Sequence, residues 1–225
     1  MRTFAQEINR SIEDAIVKDN SVVVGGQLVK YGVAGLTKGL FDKYPDNFIT
    51  YPVAESLMNS SAMGLALAGK RVVMIHVRID FLASGMCSLV NHIPIWFHKG
   101  FDLPITFVCQ VGKGMGQGAQ HSKDLSSWFK KFEGWKVMTP ETPNMAYEML
   151  TESIFGNQPV LYVIHRELFD AAQPKKINHD DRVRLCGASR RHERFFYGDD
   201  HDSRFYGDSE NYDIEDLSSR LQQRK

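Results

Sequence analysis

Cysteine is scarce in this sequence: Cys87, Cys109 and Cys186 stand alone, with no C-x-x-C spacing. That pattern suits reduced, buried thiols better than a disulfide framework or a zinc site. An excess of one charge is missing too, because Lys plus Arg and Asp plus Glu both number 27. Without a net field to draw a polyanion, neither nucleic acid nor an anionic membrane surface is implied as a partner. No apolar run approaches the ~18 residues of a membrane span. The amino-terminal stretch Met-Arg-Thr-Phe-Ala-Gln-Glu is polar and helical in pattern. Together these absences predict a cytoplasmic globular chain.

What is present suits one α/β domain with something attached: 225 residues, 43% apolar and 24% charged. Thr3 is a plausible N-cap for a helix with Phe4, Ile8, Ile12, Ala15 and Ile16 on one face. Val22 to Val24 reads as a buried strand running into Gly25 and Gly26, and residues 48–51 as a short strand that Pro52 stops. A short helix is expected at 36–44, and strands at 71–77, 104–111, 135–138 and 159–164. The apolar stretch at 80–99 predicts a helix that Pro94 kinks or ends. Further helices are expected at 125–132 and 144–155. Strands separated by helices of this length predict a doubly wound, mainly parallel sheet flanked by helices. Beyond about Ala172 periodicity disappears and Arg, Asp, His, Ser and Tyr dominate. Residues 1–171 are therefore read as the folded domain and 172–225 as a polar, disordered tail. Within that tail an Arg-Phe-Phe-Tyr-Gly-Asp unit at 194 is echoed by Arg-Phe-Tyr-Gly-Asp at 204.

Ligands in such sheets collect at the carboxyl ends of the strands. Three segments of this sequence converge there. Glu55 follows the 48–51 strand and opens a helix with Met58, Ala62, Leu65 and Ala66 on one face. A carboxylate in a first helical turn is favoured by the helix dipole alone. Its neighbours Pro52, Val53, Ala54 and Leu57 predict in addition a dry setting in which a proton is held tightly. His76 and Arg78 lie near the end of the 71–77 strand. Gly112, Gly114, Gly116 and Gly118 alternate with other residues before His121, which fits neither a dinucleotide fingerprint nor a P-loop.

In order along the chain come Tyr-Pro-Val-Ala-Glu55, the small-residue helix to Gly69, Asp80-Phe81, Val90-Asn91, the glycine loop closing in Ala119-Gln-His121-Ser, Trp128-Phe129 and Gly134-Trp-Lys-Val137. This succession resembles the pyrimidine-binding domain of the beta subunit of thiamine diphosphate-dependent 2-oxo acid dehydrogenases, in the transketolase superfamily. The resemblance covers about residues 3–170. It implies the thiamine diphosphate-binding fold of pyrimidine type, with Glu55 as the carboxylate that bonds the cofactor's aminopyrimidine and promotes its imino form. It further implies that Phe81 packs on the pyrimidine, that Val77 touches the cofactor, and that His121 faces the substrate-derived intermediate as a proton carrier.

No Gly-Asp-Gly followed at distance by Asn occurs here, so the resemblance assigns Mg2+ and the diphosphate to an alpha-type partner, with no metal ligands on this chain. An alpha2beta2 heterotetramer and a small 2-oxo acid substrate follow by the same resemblance. Where the family carries a further carboxyl-terminal domain, this sequence has its polar tail. Gln27 stands where the family commonly has Glu, and Arg78 where it has an uncharged residue. With His76 on the same strand face, Arg78 is expected to give the substrate pocket a positive wall. The resulting expectation is the beta-type subunit of an oxidoreductase that decarboxylates a 2-oxo acid and passes on the acyl or aldehyde unit. A transketolase-like carboligase and a non-catalytic scaffold are the alternatives.

Overall fold

The computed structural model describes residues 1–112 and 117–173. The loop at 113–116, and with it Gly114 and Gly116, lies outside the described residues, as do Cys186 and almost all of the stretch read as a tail. Six strands form one parallel sheet: β1 (Val22–Gly26), β2 (Phe48–Thr50), β3 (Arg71–His76), β4 (Ile105–Val111), β5 (Lys136–Met138) and β6 (Val160–His165). Their order is β2-β1-β3-β4-β6-β5, and every neighbouring pair is parallel. All residues of β1, β4 and β6 are buried, as expected where helices cover both faces.

One face is covered by α1 (Phe4–Lys18) and α7 (Pro143–Phe155). Helix α1 starts as its sequence directs: Gln6 N donates to Thr3 Oγ1 and Thr3 N to Gln6 Oε1, a reciprocal cap. It buries Phe4, Ile8, Ile12 and Ile16 against Val22, Val24, Tyr162 and Ile164. Each such side chain contributes about 1.5–3 kcal/mol when fully buried. The other face packs under α3 (Glu55–Leu67), α4 (Ile79–Leu82), α5 (Ile93–His98) and α6 (Ser126–Phe129), with Met58, Ala62 and Ala66 meeting Met74 and Ile105.

Two expectations need correction. The single helix at 80–99 is four pieces: α4, a 3-10 turn at Ala83–Gly85, a π turn at Ser88–His92, then α5. Pro94 sits in the first turn of α5, where its missing N–H costs nothing. The helix expected at 36–44 shrinks to α2 (Leu40–Lys43), preceded by two 3-10 turns; Leu28, ahead of the first, and Ala34, within the second, take positive φ. Both regions run past the carboxyl edge of the sheet, where local shape follows packing rather than helical period.

Strand order reverses between β1 and β3, and the chain leaves both at their carboxyl ends. The parallel sheet thus opens its crevice beside Gln27, Arg78 and Gly112.

Candidate functional site

Glu55 is the first residue of α3, as the sequence indicates, and Ala54 ahead of it provides no side-chain cap. Its carboxylate is half-buried, and Oε1 accepts from Gln27 Nε2 at 3.0 Å. The dry setting expected of its neighbours is not there in this chain. Val53 is 83% exposed and Leu57 52%, and Leu28 and Tyr31 beside Gln27 are exposed as well, at 51% and 77%. The apolar side chains next to Gln27 and Glu55 in the sequence are thus an open hydrophobic surface rather than a lid.

The base of the site is rigid. Ser56 Oγ donates to Ser84 O at 2.8 Å, and a Cβ on Gly85 would lie 3.3 Å from Glu55 O and 2.2 Å from Asn59 Nδ2. Helix α3 therefore sits against the turn that follows Phe81, with no room for a side chain at Gly85. Asn59, which the sequence reading passed over, ties this together: its Oδ1 meets His76 Nε2 at 2.9 Å.

That bond corrects the reading of His76. The ring is buried, lies tilted against Phe107 at 5.9 Å and has its pKa pushed down to about 3 by burial. It is a neutral core residue whose Nε2–H donates to Asn59, and it supplies no positive wall. Strand alternation had placed it on a face, but both faces of a parallel sheet are interior.

Arg78 is buried too and turned toward the loop. Its guanidinium donates to Val77 O at 2.7 Å and to Gln117 Oε1. Burial lowers its pKa, the nearby Arg166 adds to that, and Asp80 opposes both. Gly112 lets this happen: a Cβ there would lie 2.5 Å from His121 O and 2.7 Å from Arg78 Nε. Arg78 thus underpins the loop that carries His121, a role different from the substrate contact expected of it.

His121 ends a 3-10 turn at Ala119–His121, with its N–H on Gly118 O at 3.2 Å. Its ring meets Phe81 edge-on at 5.2 Å. Phe81 and Val77 are half-buried. Asp80, beside Phe81 on α4, accepts from Lys123 N at 3.1 Å. The sequence reading quoted Asp80 but gave it no role; its place between a strand end and an aromatic residue was the available signal. Gln27 and Glu55 thus form one flank of the crevice, and Phe81, His121 and the Arg78-anchored loop the other. A carboxylate, an aromatic ring and an imidazole at one parallel-sheet edge suit acid–base chemistry on a bound heterocycle.

Comparisons with known proteins accord with this arrangement. The family described as transketolase, pyrimidine binding domain, matches residues 2–171. The chain is 29% identical over 177 residues to the acetoin:2,6-dichlorophenolindophenol oxidoreductase subunit beta of Cupriavidus necator, covering 72% of this chain and 52% of that one. It is 33% identical over 168 residues to the 3-methyl-2-oxobutanoate dehydrogenase subunit beta of Mycobacterium tuberculosis, covering 72% and 48%. The pyruvate dehydrogenase E1 component subunit beta of Acholeplasma laidlawii is 30% identical over 178 residues, covering 76% and 54%. The chain thus spans about half the length of the curated relatives it matches. Among solved structures, a split gene transketolase titled an inactive beta4 tetramer superposes with a TM-score of 0.62 at 15% identity. That match covers 83% of this chain and 56% of that one, and shows the fold. The strand order, the crevice at its carboxyl edge and the match over residues 2–171 lead to one conclusion: this chain belongs to the transketolase pyrimidine-binding domain family.

Proposed function

We propose that this chain is the pyrimidine-side subunit of a two-chain thiamine diphosphate enzyme that decarboxylates a small 2-oxo acid and transfers the acyl or aldehyde unit. The observation that carries the reading is Glu55, held by Gln27 in the first turn of α3 at the sheet's carboxyl edge. Two of the relatives above are named as 2-oxo acid or pyruvate dehydrogenase beta subunits, which supports the reaction class.

The residues fit the pyrimidine half of such a cofactor. Glu55 offers a carboxyl group to a ring nitrogen, while Phe81 and Val77 offer apolar surface. When bound, thiamine diphosphate supplies the nucleophilic carbon and electron sink that decarboxylation of a 2-oxo acid needs. Glu55 would hold a proton at the ring nitrogen, and Gln27 fixes its Oε1. His121 moves a proton at the substrate side. Diphosphate and Mg2+ fall to an alpha-type partner. The exposed Leu28, Tyr31, Val53 and Leu57 form the surface that partner covers, excluding water from Glu55 in an alpha2beta2 assembly.

Gln27 favours a second reading, carboligation, because an amide there removes one proton relay. Reduction of an artificial electron acceptor marks the dehydrogenase, and consumption of an added aldehyde marks the carboligase.

The test is purification from the native host with whatever partner accompanies the chain, followed by titration with thiamine diphosphate and Mg2+. A stoichiometric partner, cofactor bound only by the pair, and turnover lost in Glu55→Gln are expected. A chain that stays alone, with no cofactor affinity in any combination, would overturn the proposal.

A further inference from the structure

A groove of about 500 Å³ opens between α5 and the turn at 131–134. Helix α5 leads into the start of β4, and that turn into the start of β5, so the groove lies toward the amino edge of the sheet, opposite the crevice. Val90, Ile95, Phe97 and Phe132 give it an apolar lining, with Lys99 and Lys131 exposed beside them. Its two walls are fixed to each other. Trp135 Nε1 donates to Leu89 O at 2.9 Å, and a Cβ on Gly134 would lie 3.1 Å from Pro94 Cβ, so the turn packs directly on the start of α5. The groove is therefore formed before anything enters it. Apolar surface continues along α5: Ile95 is 47% exposed, and Trp96 and Phe101 pair at 4.8 Å with both rings still open to solvent. A patch of this kind marks a surface that something covers.

Charge selects the occupant. Lys99, Lys130 and Lys131 are exposed, none is in an ion pair among the described residues, and Glu133 is the one acidic residue lining the groove. A second copy docked face to face would set these lysines against themselves. The complement is an acidic segment with large apolar side chains, and this chain carries one. Residues 205–217 hold Asp208, Glu210, Asp213, Glu215 and Asp216 and no Lys, Arg or His. Phe205, Tyr206, Tyr212, Ile214 and Leu217 lie among them. The stretch at 174–194 is the reverse, with seven Lys and Arg against three Asp and Glu, so it does not suit the groove.

We infer that residues 205–217 of this chain dock in the groove between α5 and the 131–134 turn, apolar side chains inward and carboxylates on the lysines. The tether allows it. Gln173 is the last described residue, and the 31 residues at 174–204 separate it from the segment. Extended, they reach about 100 Å, whereas a compact domain of this size is only about 40 Å across. Tethering also holds the segment near its groove at an effective concentration on the order of 1 mM, so a contact too weak to persist between separate molecules is occupied here.

The docking does not depend on the cofactor reading, and the full chain alone tests it. Unlabelled and nitrogen-15-labelled chains are mixed in equal parts and treated with a carbodiimide, which joins a lysine to a carboxylate in contact with it. Mass spectrometry of the digested peptides then identifies each link and its isotope pairing. Links from Lys99 or Lys131 to residues 208–216, both ends carrying the same label, are expected. Mixed labels would put a second copy's segment in the groove and overturn the inference, as would the absence of such links while other lysines react. Ile214→Asp combined with Leu217→Asp changes no residue of the described domain and keeps every carboxylate. It should lower the yield of these links at least about fivefold, because the apolar side chains no longer favour burial. An unchanged yield would mean a diffuse attraction of charges without entry into the groove, and would equally overturn it. In the complex purified from the native host, links from Lys99 and Lys131 to another protein in place of residues 208–216 would assign the groove to that protein and not to this segment.

Discussion

Gln27 Nε2 donates to Glu55 Oε1 across 3.0 Å, so the carboxylate at the head of α3 is fixed by an amide from the end of β1. The bond commits one carboxylate oxygen and leaves the other for a ligand. Glu55→Gln removes the carboxyl group that Gln27 holds on this flank, and turnover by the assembled enzyme should fall at least ~100-fold, the lower range for loss of a general acid or base. Gln27→Glu instead sets two carboxylates within hydrogen-bond distance. The variant should lose about 1 kcal/mol against the parent at pH 8 and regain it near pH 4, where one carboxyl is protonated. Urea midpoints at the two pH values decide this. A deficit independent of pH would mean that the loss is steric.

His76 should make the fold acid-sensitive. Burial holds its pKa at about 3 in the native state, against about 6.5 in an unfolded chain. Between those values the unfolded state binds the extra proton, so stability is full above about pH 6.5 and falls as pH drops toward 3. The contribution is on the order of 5 kcal/mol over the whole window, because each pKa unit corresponds to about 1.4 kcal/mol. His76→Gln keeps a donor for Asn59 Oδ1 without the titration. Its urea midpoint should therefore change less between pH 7.5 and pH 4.5 than the parent's. Equal slopes in the two proteins would show that other groups drive acid unfolding.

The Glu55 and His76 regions show what the sequence could and could not reveal. Pro52 and the small-residue run after Glu55 located the start of α3, because turn chemistry and helical period are local signals. The alternation of strands and helices likewise announced the parallel sheet. Burial is not local. Val53 and Leu57 read as the walls of a dry pocket and are instead an exposed apolar surface, since hydrophobicity does not say whether its partner lies in the same chain. His76 read as pocket lining, but its layer depends on α3 and Asn59, which come from elsewhere in the chain. The broken helix at 79–98 followed packing at the sheet edge in preference to its apolar period.

Arg78 should act through the loop and not on substrate. Arg78→Ala removes the donor to Gln117 Oε1 and empties the space under Gly112. In the assembled enzyme kcat should fall about tenfold or more, with KM for the 2-oxo acid changing by less than about threefold. Substrate recognition by Arg78 would give the opposite split, a raised KM with kcat kept.

Two glycines separate the cost of the site from the cost of the scaffold. At Gly112 an added Cβ would meet His121 O at 2.5 Å and Arg78 Nε at 2.7 Å, and a backbone atom cannot give way as a flexible side chain can. Gly112→Ala should therefore displace the His121 loop, destabilise the chain by about 1–3 kcal/mol and shift the His121 signals in a nitrogen-15 spectrum. Gly64 lies within α3, has no atom within 4 Å of an added Cβ and has an ordinary helical φ. Gly64→Ala removes backbone freedom from the unfolded state at no steric cost, so it should stabilise the isolated chain by about 0.5–1 kcal/mol. Thermal unfolding of both variants decides the point. If both destabilise equally, then α3 is strained along its length and the tight fit at Gly112 is not particular to the loop. If only Gly112→Ala does so, the close approach of β4, Arg78 and His121 is what fixes that side of the crevice.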